Sequence, residues 1–567
     1  MDLPIRNLRC LNILDLPEDV LHEIFDYFQP SAVDIIDLPY TDSSEDAEKF
    51  ATAQNARLVC RLFHDLASPL LVNALDVHIA SESLHRIDML TRNPKIAAGV
   101  RIVQVKVEYR PRELAQSLHL YKMLQWEKLK KMHDSCTYYT EFAFYPTDDE
   151  QKILDSMTII DNMRMAWGIW SGDLDDEDQQ TRYNEFLSQC HEEYRHKQED
   201  QYRLLTDGSF VKVLAASMCR LTSLRALAFA DYTHCPIDSV YCKTGAEVSA
   251  VFANDMEMVR KAFVMPQEWR EVENIDPIPE LLPAKLLWEL PIAIHEGGKE
   301  LREVKVSTLP VKSNFDMLCP YDQKGDQPAW GRLWRAFRNV QRVYVAGSGR
   351  PSQHPPPEKK AYTDKYLAAL ISSPSMEQVH INFSGFKLSV FESRSNLTPG
   401  EKLFDLGSVL ASVHWPHIRK LNLYDVSLRQ EDLESFFRGM GTKLESVNMC
   451  DVAILDGSWK RPLEVLRETL LSAGGSRGRP VDVVLRSLLG GGLESVAYED
   501  YDDDGESCDP YGEEWFDKSN KEEELLDEMA KYIAGVEGME DVFAKLVLEA
   551  NPATNGRAMS YKRGLFD

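Results

Sequence analysis

Seven short segments share one spacing: an apolar residue, two others, an apolar residue, one other, and a final apolar residue. They are VRIVQV (100–105), LRALAF (224–229), LREVKV (301–306), VQRVYV (340–345), MEQVHI (376–381), IRKLNL (418–423) and LESVNM (444–449). The last two apolar positions alternate as in a strand with one buried face, and the first sits at a turn into that strand. The spacing predicts strands at 102–107, 225–230, 302–307, 341–346, 378–383, 420–424 and 446–450. Between copies lie helical stretches such as QEDLESFFRGMG, in which Leu433, Phe436, Phe437 and Met440 share a face and Gly441 suits a C-cap. A unit of this size cannot bury its apolar face alone, so neighbours must stack side by side with mostly parallel strands. The last five copies start 39, 36, 42 and 26 residues apart, so the array is expected to be ragged.

The rest of the composition narrows the function classes. At 567 residues the chain is too long for one ordinary core. Its net charge of −27 argues against general nucleic-acid binding and against anionic membrane surfaces. Residues 499–528 carry 15 acidic and 2 basic residues, so a net −13, nearly half the total, is local to the tail. The N-terminus lacks a long apolar run, and no stretch approaches a membrane span. Ten irregularly placed cysteines without a C-x-x-C fit reduced, mostly buried thiols in the cytosol or nucleus.

Two stretches interrupt the array. Residues 108–207 are polar, aromatic and largely helical in pattern, and 347–360 (GSGRPSQHPPPEKK) reads as a Pro-rich loop. The tail from about 499 reads as disordered at first, followed by one or two amphipathic helices in KEEELLDEMAKYIAGVEGMEDVFAKLVLEA.

At the N-terminus, LPEDVLHEIFDYF (16–28) predicts a helix with Pro17 in its first turn and an Asp15–Glu18 capping pair. Its apolar residues fan across about 180°, wider than the stripe of roughly 100° that one core requires. The acidic stretch TDSSEDAE that follows reads as a surface loop, and ARLVCRLFHDLASPLL (56–71) as a second helix broken near Pro69.

These two segments together resemble the F-box of fungal F-box proteins. The matching positions are Leu16, Pro17, Val20, Leu21, Ile24, Phe25, Leu58, Val59, Cys60, Arg61, Phe63, Leu66, Ala67 and Leu70. The gap between Pro17 and Cys60 exceeds the usual one, the excess lying in the acidic 31–50 segment, which is read as a loop insertion. The resemblance implies a small helical module that binds a Skp-type adaptor, and through it a cullin–RING scaffold, with the rest of the chain selecting a protein substrate. The wide stripe would then serve two partners, its own core and the adaptor. Leu16, Pro17, Val20, Ile24, Phe25, Leu58, Val59, Cys60 and Phe63 are the expected adaptor contacts, with Leu16, Pro17, Ile24, Phe25, Val59 and Phe63 partly exposed in the isolated chain. The repeated segments resemble leucine-rich repeats, although the expected Asn or Cys is replaced by Tyr232, Leu309, Ser348, Ser384, Val426 and Val452.

The expectation is therefore an α/β protein: a three-helix F-box (12–74), an irregular leucine-rich-repeat-like solenoid with mostly parallel strands (75–498), and an acidic tail (499–567). Strand geometry places the residues between the apolar positions on the open face. They are Glu303, Lys305 and Ser307; Arg342, Tyr344 and Ala346; Gln378, His380 and Asn382; Lys420, Asn422 and Tyr424; and Ser446, Asn448 and Cys450. Lys305, Arg342, Tyr344, His380, Asn382, Lys420, Asn422 and Tyr424 are the substrate-binding candidates, and the cations among them suit an acidic or phosphorylated segment. The competing view is that Glu303 and neighbouring acids neutralise that patch.

Catalytic readings find little support. The histidines of HEEYRH (191–196) are five apart and share no helix face, Cys235 and Cys242 lack paired zinc spacing, and GSGRP has no G-K-[ST]. Cys60 reads as a small buried hydrophobe, with no His placed to activate it. No enzyme, cofactor or metal is expected. The function anticipated is substrate recognition within a Skp–cullin–F-box ubiquitin ligase; the alternative is a non-catalytic repeat scaffold or an F-box protein acting outside ubiquitination.

Overall fold

The computed structural model describes residues 13–28, 44–142, 150–167, 177–231, 256–310, 314–321, 329–347, 357–383, 403–441, 443–474, 481–491 and 526–535. The molecule is α/β, built on a parallel sheet that does not close into a barrel. Its strands are β1 (Ala74–His78), β2 (Ile102–Lys106), β3 (Ala226–Ala230), β4 (Glu303–Val306), β5 (Arg342–Ala346), β6 (Gln378–Asn382), β8 (Lys420–Tyr424), β10 (Ser446–Cys450) and β12 (Asp482–Arg486). All neighbours are parallel and every strand lies beside the previous one in chain order. The seven strands expected from the spacing are all among them and lie side by side. The first and last, β1 and β12, were not anticipated.

The register explains why the pattern folds this way. Val103, Leu227, Val304, Val343, Val379, Leu421 and Val447 form one rank across the sheet, and Val105, Phe229, Val306, Val345, Ile381, Leu423 and Met449 another. Both ranks are buried on the face covered by helices, as are the leading apolar residues from Val100 to Leu444. Each side chain so buried contributes roughly 1.5–3 kcal/mol, and a slip of one residue would turn a whole strand's set outward. The covering helices include Ser81–Thr91, Ser209–Cys219, Leu286–Glu296, Trp330–Phe337, Pro357–Ile371, Gln430–Gly439 and Lys460–Gly474. They present apolar faces such as Phe210, Leu214 and Met218, or Leu433, Phe436 and Phe437, to one continuous core.

A second, three-stranded parallel sheet is formed by β7 (Phe404–Asp405), β9 (Val426–Leu428) and β11 (Ala453–Ile454). The chain turns from β8 into β9 through Asp425 (φ 55°), and leaves β10 and β12 through Asp451 (φ 53°) and Ser487 (φ 46°). One left-handed corner thus recurs in three successive units, at a conformation in which Asp is enriched because its short side chain bonds locally.

The described residues of the interrupting segment 108–207 are largely helical, with helices Leu118–Phe142, Glu150–Ala166 and Glu177–Thr206, and they form a core of their own with Met256–Val264. Tyr121, Tyr194, Trp167 and Phe263 fill that core. It is tied to the carboxyl ends of β2 and β3. The Trp269 indole N–H donates to the Val107 carbonyl (2.7 Å), and the Gln201 amide donates to the Glu108 carbonyl (3.0 Å). Asp231 accepts from the Trp269 backbone N–H (3.1 Å) and from the Thr308 hydroxyl (3.0 Å), while its burial pushes its carboxyl up to about 7.

Several local expectations are corrected. The expected helix 56–71 is shortened: its α-helical part spans only Arg61–Ala67, and a separate helix before it spans Ser44–Ala56, so the loop expected at TDSSEDAE is helical from Ser44. Pro17, expected in the first turn of the first helix, stands at its N-cap position, and the Asp15 and Glu18 side chains lie outside what the structure describes. A helix begins at Pro357, inside the expected Pro-rich loop. Gly441 is not a left-handed cap; it lies against the Pro416 backbone, where a Cβ would overlap the carbonyl. In the tail, Leu526, Met529, Ala530 and Ile533 join the main core, whereas 499–525 lies outside the described residues.

Candidate partner-binding surfaces

The N-terminal unit consists of α1 (Glu18–Asp26), α2 (Ser44–Ala56) and α3 (Arg61–Ala67), with residues 29–43 outside the described residues. Leu21, Phe25, Ala53, Phe63, Leu66, Ala67 and Leu70 form a separate small core, in which the Phe25 and Phe63 rings meet edge to face at 5.1 Å. The Cys60 sulfur caps α3 by accepting the Phe63 N–H at 3.4 Å, which is a structural role for this half-buried thiol. Pro69 abuts Gly99 so closely that a Cβ at Gly99 would overlap the Pro69 carbonyl, and Lys95 pairs with Asp65 beside it.

The wide stripe of α1 is thereby divided. Leu21 and Phe25 turn inward, whereas Pro17, Val20, Ile24 and Tyr27 fall within about 80° of one another on the helix surface. Pro17, Val20 and Tyr27 are exposed and Ile24 half-buried. Leu58 and Val59, in the turn before α3, are 85% and 67% exposed. Leu16 is half-buried against the core. Two expected exposures are corrected: Phe25 and Phe63 are only 5% and 8% exposed, because both rings fill the interior of this small unit. Tyr27, 75% exposed, was missed, although its place on the helix wheel beside Val20 and Ile24 signals it.

The sheet face away from the helices carries the second set of candidates, and the register brings them into ranks. Lys305, Tyr344, His380, Asn422 and Asn448 occupy one; Glu303, Arg342, Gln378, Lys420 and Ser446 another; Ala346, Asn382, Tyr424 and Cys450 a third. Their side chains touch. Lys305 Nζ lies 4.6 Å from the centre of the Tyr344 ring, which stacks on His380 at 4.4 Å and 18°. His380 meets Tyr424 at 5.1 Å, and the Asn448 amide donates to the Tyr424 hydroxyl at 2.6 Å. Burial, with the nearby Lys305 charge adding to it, pulls the His380 imidazole down to about 4.

Not all of this face is open. From β5 to β10 these residues are half-buried, apart from exposed Lys420. Over β2 to β4, by contrast, Ile102, Gln104, Lys106, the three alanines of β3, Glu303, Lys305 and Ser307 are buried. Lys305, expected as a surface cation, is 4% exposed, a correction that follows from the small alanines beside it. Arg342 lies 3.8 Å from Glu303, so the expected neutralising acid is in contact.

Among the described residues no group of three His, Cys, Asp or Glu side chains could hold a metal, and no helix is long and apolar enough to cross a membrane. His191 of the HEEYRH segment instead contacts the Leu114 carbonyl at 3.0 Å. Comparison with protein families, with curated proteins and with solved structures gave no match.

Proposed function

We propose that the chain is the substrate-recognition subunit of a Skp–cullin–F-box ubiquitin ligase, with the N-terminal unit as its F-box and the parallel array as a leucine-rich-repeat-like receptor for a protein substrate. The observation that carries this reading is the division of the N-terminal unit: one apolar edge fills its small core, and the other, with Leu58, Val59, Val20 and Tyr27, faces solvent. Exposed large apolar groups at this density on so small a unit mark a docking surface. The positions agree with the segments that resemble the F-box, with Phe25 and Phe63 now assigned to the interior.

The array supports the second half of the reading. Parallel strands in chain order, a buried leading apolar residue, and an aromatic–amide rank on the free face suit a repeat receptor, and the departures from the repeat consensus suit its ragged spacing. The test is co-purification of the full chain with a Skp-type adaptor and a cullin. Stoichiometric capture of both is expected. Capture of the adaptor without a cullin would favour a role outside ubiquitination, and capture of neither would overturn the proposal.

A further inference from the structure

The backbone ladder of the sheet extends one residue ahead of each strand. Arg225 donates its N–H to the Arg101 carbonyl (2.9 Å), Arg302 to that of Arg225 (2.9 Å) and Gln341 to that of Arg302 (2.7 Å). Arg101, Arg225 and Arg302 therefore occupy one register on three neighbouring strands, about 4.8 Å apart. One register further on, Arg342 lies beside Glu303. The Glu303 carboxylate sits between two guanidiniums, 3.5 Å from Arg225 Nε and 3.8 Å from Arg342 Nη1. Three arginines, Arg225, Arg302 and Arg342, thus gather around one buried glutamate, on a chain whose net charge is −27.

Like charges on directly opposed positions of neighbouring strands are destabilising, and the one carboxylate between Arg225 and Arg342 offsets only part of that. The other end of the rank is built differently: Arg419 is matched in the same rank by Glu445, at 3.5 Å. The three arginine side chains are also partly accessible, with Arg302 exposed and Arg342 42% and Arg225 31% open to solvent, although Arg225 Nε itself is buried against Glu303. Each guanidinium has five donors in a planar fork, more than a single shared carboxylate engages.

We propose that this rim, at the leading ends of β3 to β5 with Arg101 adjoining, is the docking site for an acidic segment of the protein substrate. The segment runs in extended form across the strands, with carboxylates on Arg225, Arg302 and Arg342. An extended chain presents same-side residues about 6.8 Å apart, so Asp or Glu at alternate positions spans the rank, and guanidinium–carboxylate pairing is bidentate. The strongly negative remainder of the chain repels such a segment, so this rim is where it can settle. The inference deepens the substrate-receptor reading and rests on it.

The test is selection from a displayed library of short random peptides on the intact protein, in wild type, Arg225→Glu with Arg302→Glu, and Arg419→Glu. Wild type and Arg419→Glu should enrich Asp and Glu at alternate positions, and the double reversal should abolish that enrichment. A peptide selected on wild type should bind the double reversal at least tenfold more weakly. Arg225→Gln with Arg302→Gln, with its melting temperature measured alongside, guards against misfolding and should weaken the same peptide. A wild-type pool without acidic enrichment, or an enrichment that survives both double variants, overturns the proposal. Adaptor capture by the same variants separates the outcomes: retained capture without acid preference rejects the rim and leaves the F-box reading standing.

Discussion

His380 should make the sheet less stable as pH falls, by an amount that its burial sets. In the folded chain its imidazole titrates near 4 in place of the ordinary 6.5, chiefly through burial and then through Lys305. Below about 6.5 the unfolded chain takes up a proton that the folded chain refuses, so stability is lost from there down to about 4 and then levels off. With those two values the loss at pH 5 relative to pH 7 is on the order of 2 kcal/mol, since one unit corresponds to about 1.4 kcal/mol. Other groups titrate in the same range, and Asp231, pushed up to about 7, acts in the opposite sense. The measurement must therefore be a difference. His380→Phe keeps an aromatic ring between Tyr344 and Tyr424 but removes the titration. Urea unfolding followed by tryptophan fluorescence at pH 7 and pH 5, for both proteins, isolates the effect. The variant should gain roughly 2 kcal/mol on the wild type between the two pH values. Parallel pH dependences in the two proteins would refute the claim that His380 is held neutral.

Leu58→Ala with Val59→Ala should leave the melting temperature nearly unchanged, because both side chains are exposed, yet weaken adaptor binding by about a hundredfold, the equivalent of roughly 3 kcal/mol of apolar contact; calorimetry with a purified Skp-type adaptor measures it. Phe25→Ala should do the reverse, destabilising the N-terminal unit by about 3–5 kcal/mol and exposing it to limited proteolysis, since the ring fills the small core. Gly99→Ala should cost about 1–3 kcal/mol, read from thermal unfolding, because its Cβ meets rigid Pro69 backbone and forces the N-terminal unit off the array. Asp451→Val should cost about 1–2 kcal/mol in the same assay, because a β-branched side chain is strained in the left-handed corner at φ 53°.

The strands were legible because burial on one face imposes a period that survives variation in everything between. Val304 and Val306, or Leu421 and Leu423, must be apolar whatever their neighbours are, and a leading Leu301 or Ile418 must close the turn. Even unanticipated β1 carries the spacing, in VNALDV, whereas Pro480 stands at the leading position of β12 and hides it. The late start of the helix expected at 56–71, at Arg61 and not at Ala56, was not legible, since Leu58 and Val59 continue a helical apolar pattern while facing solvent. Alternation assigns a side chain to a face and says nothing of what lies above that face. Lys305 and Tyr344 occupy equivalent sequence positions, and only the packed structure makes one buried and the other half-exposed. The same holds for Arg101, Arg225 and Arg302, which are separated by 124 and 77 residues in the chain. Sequence determines that each precedes a strand; hydrogen bonding between consecutive parallel strands determines that they stand in one rank, because backbone register, and not distance along the chain, sets which charges meet.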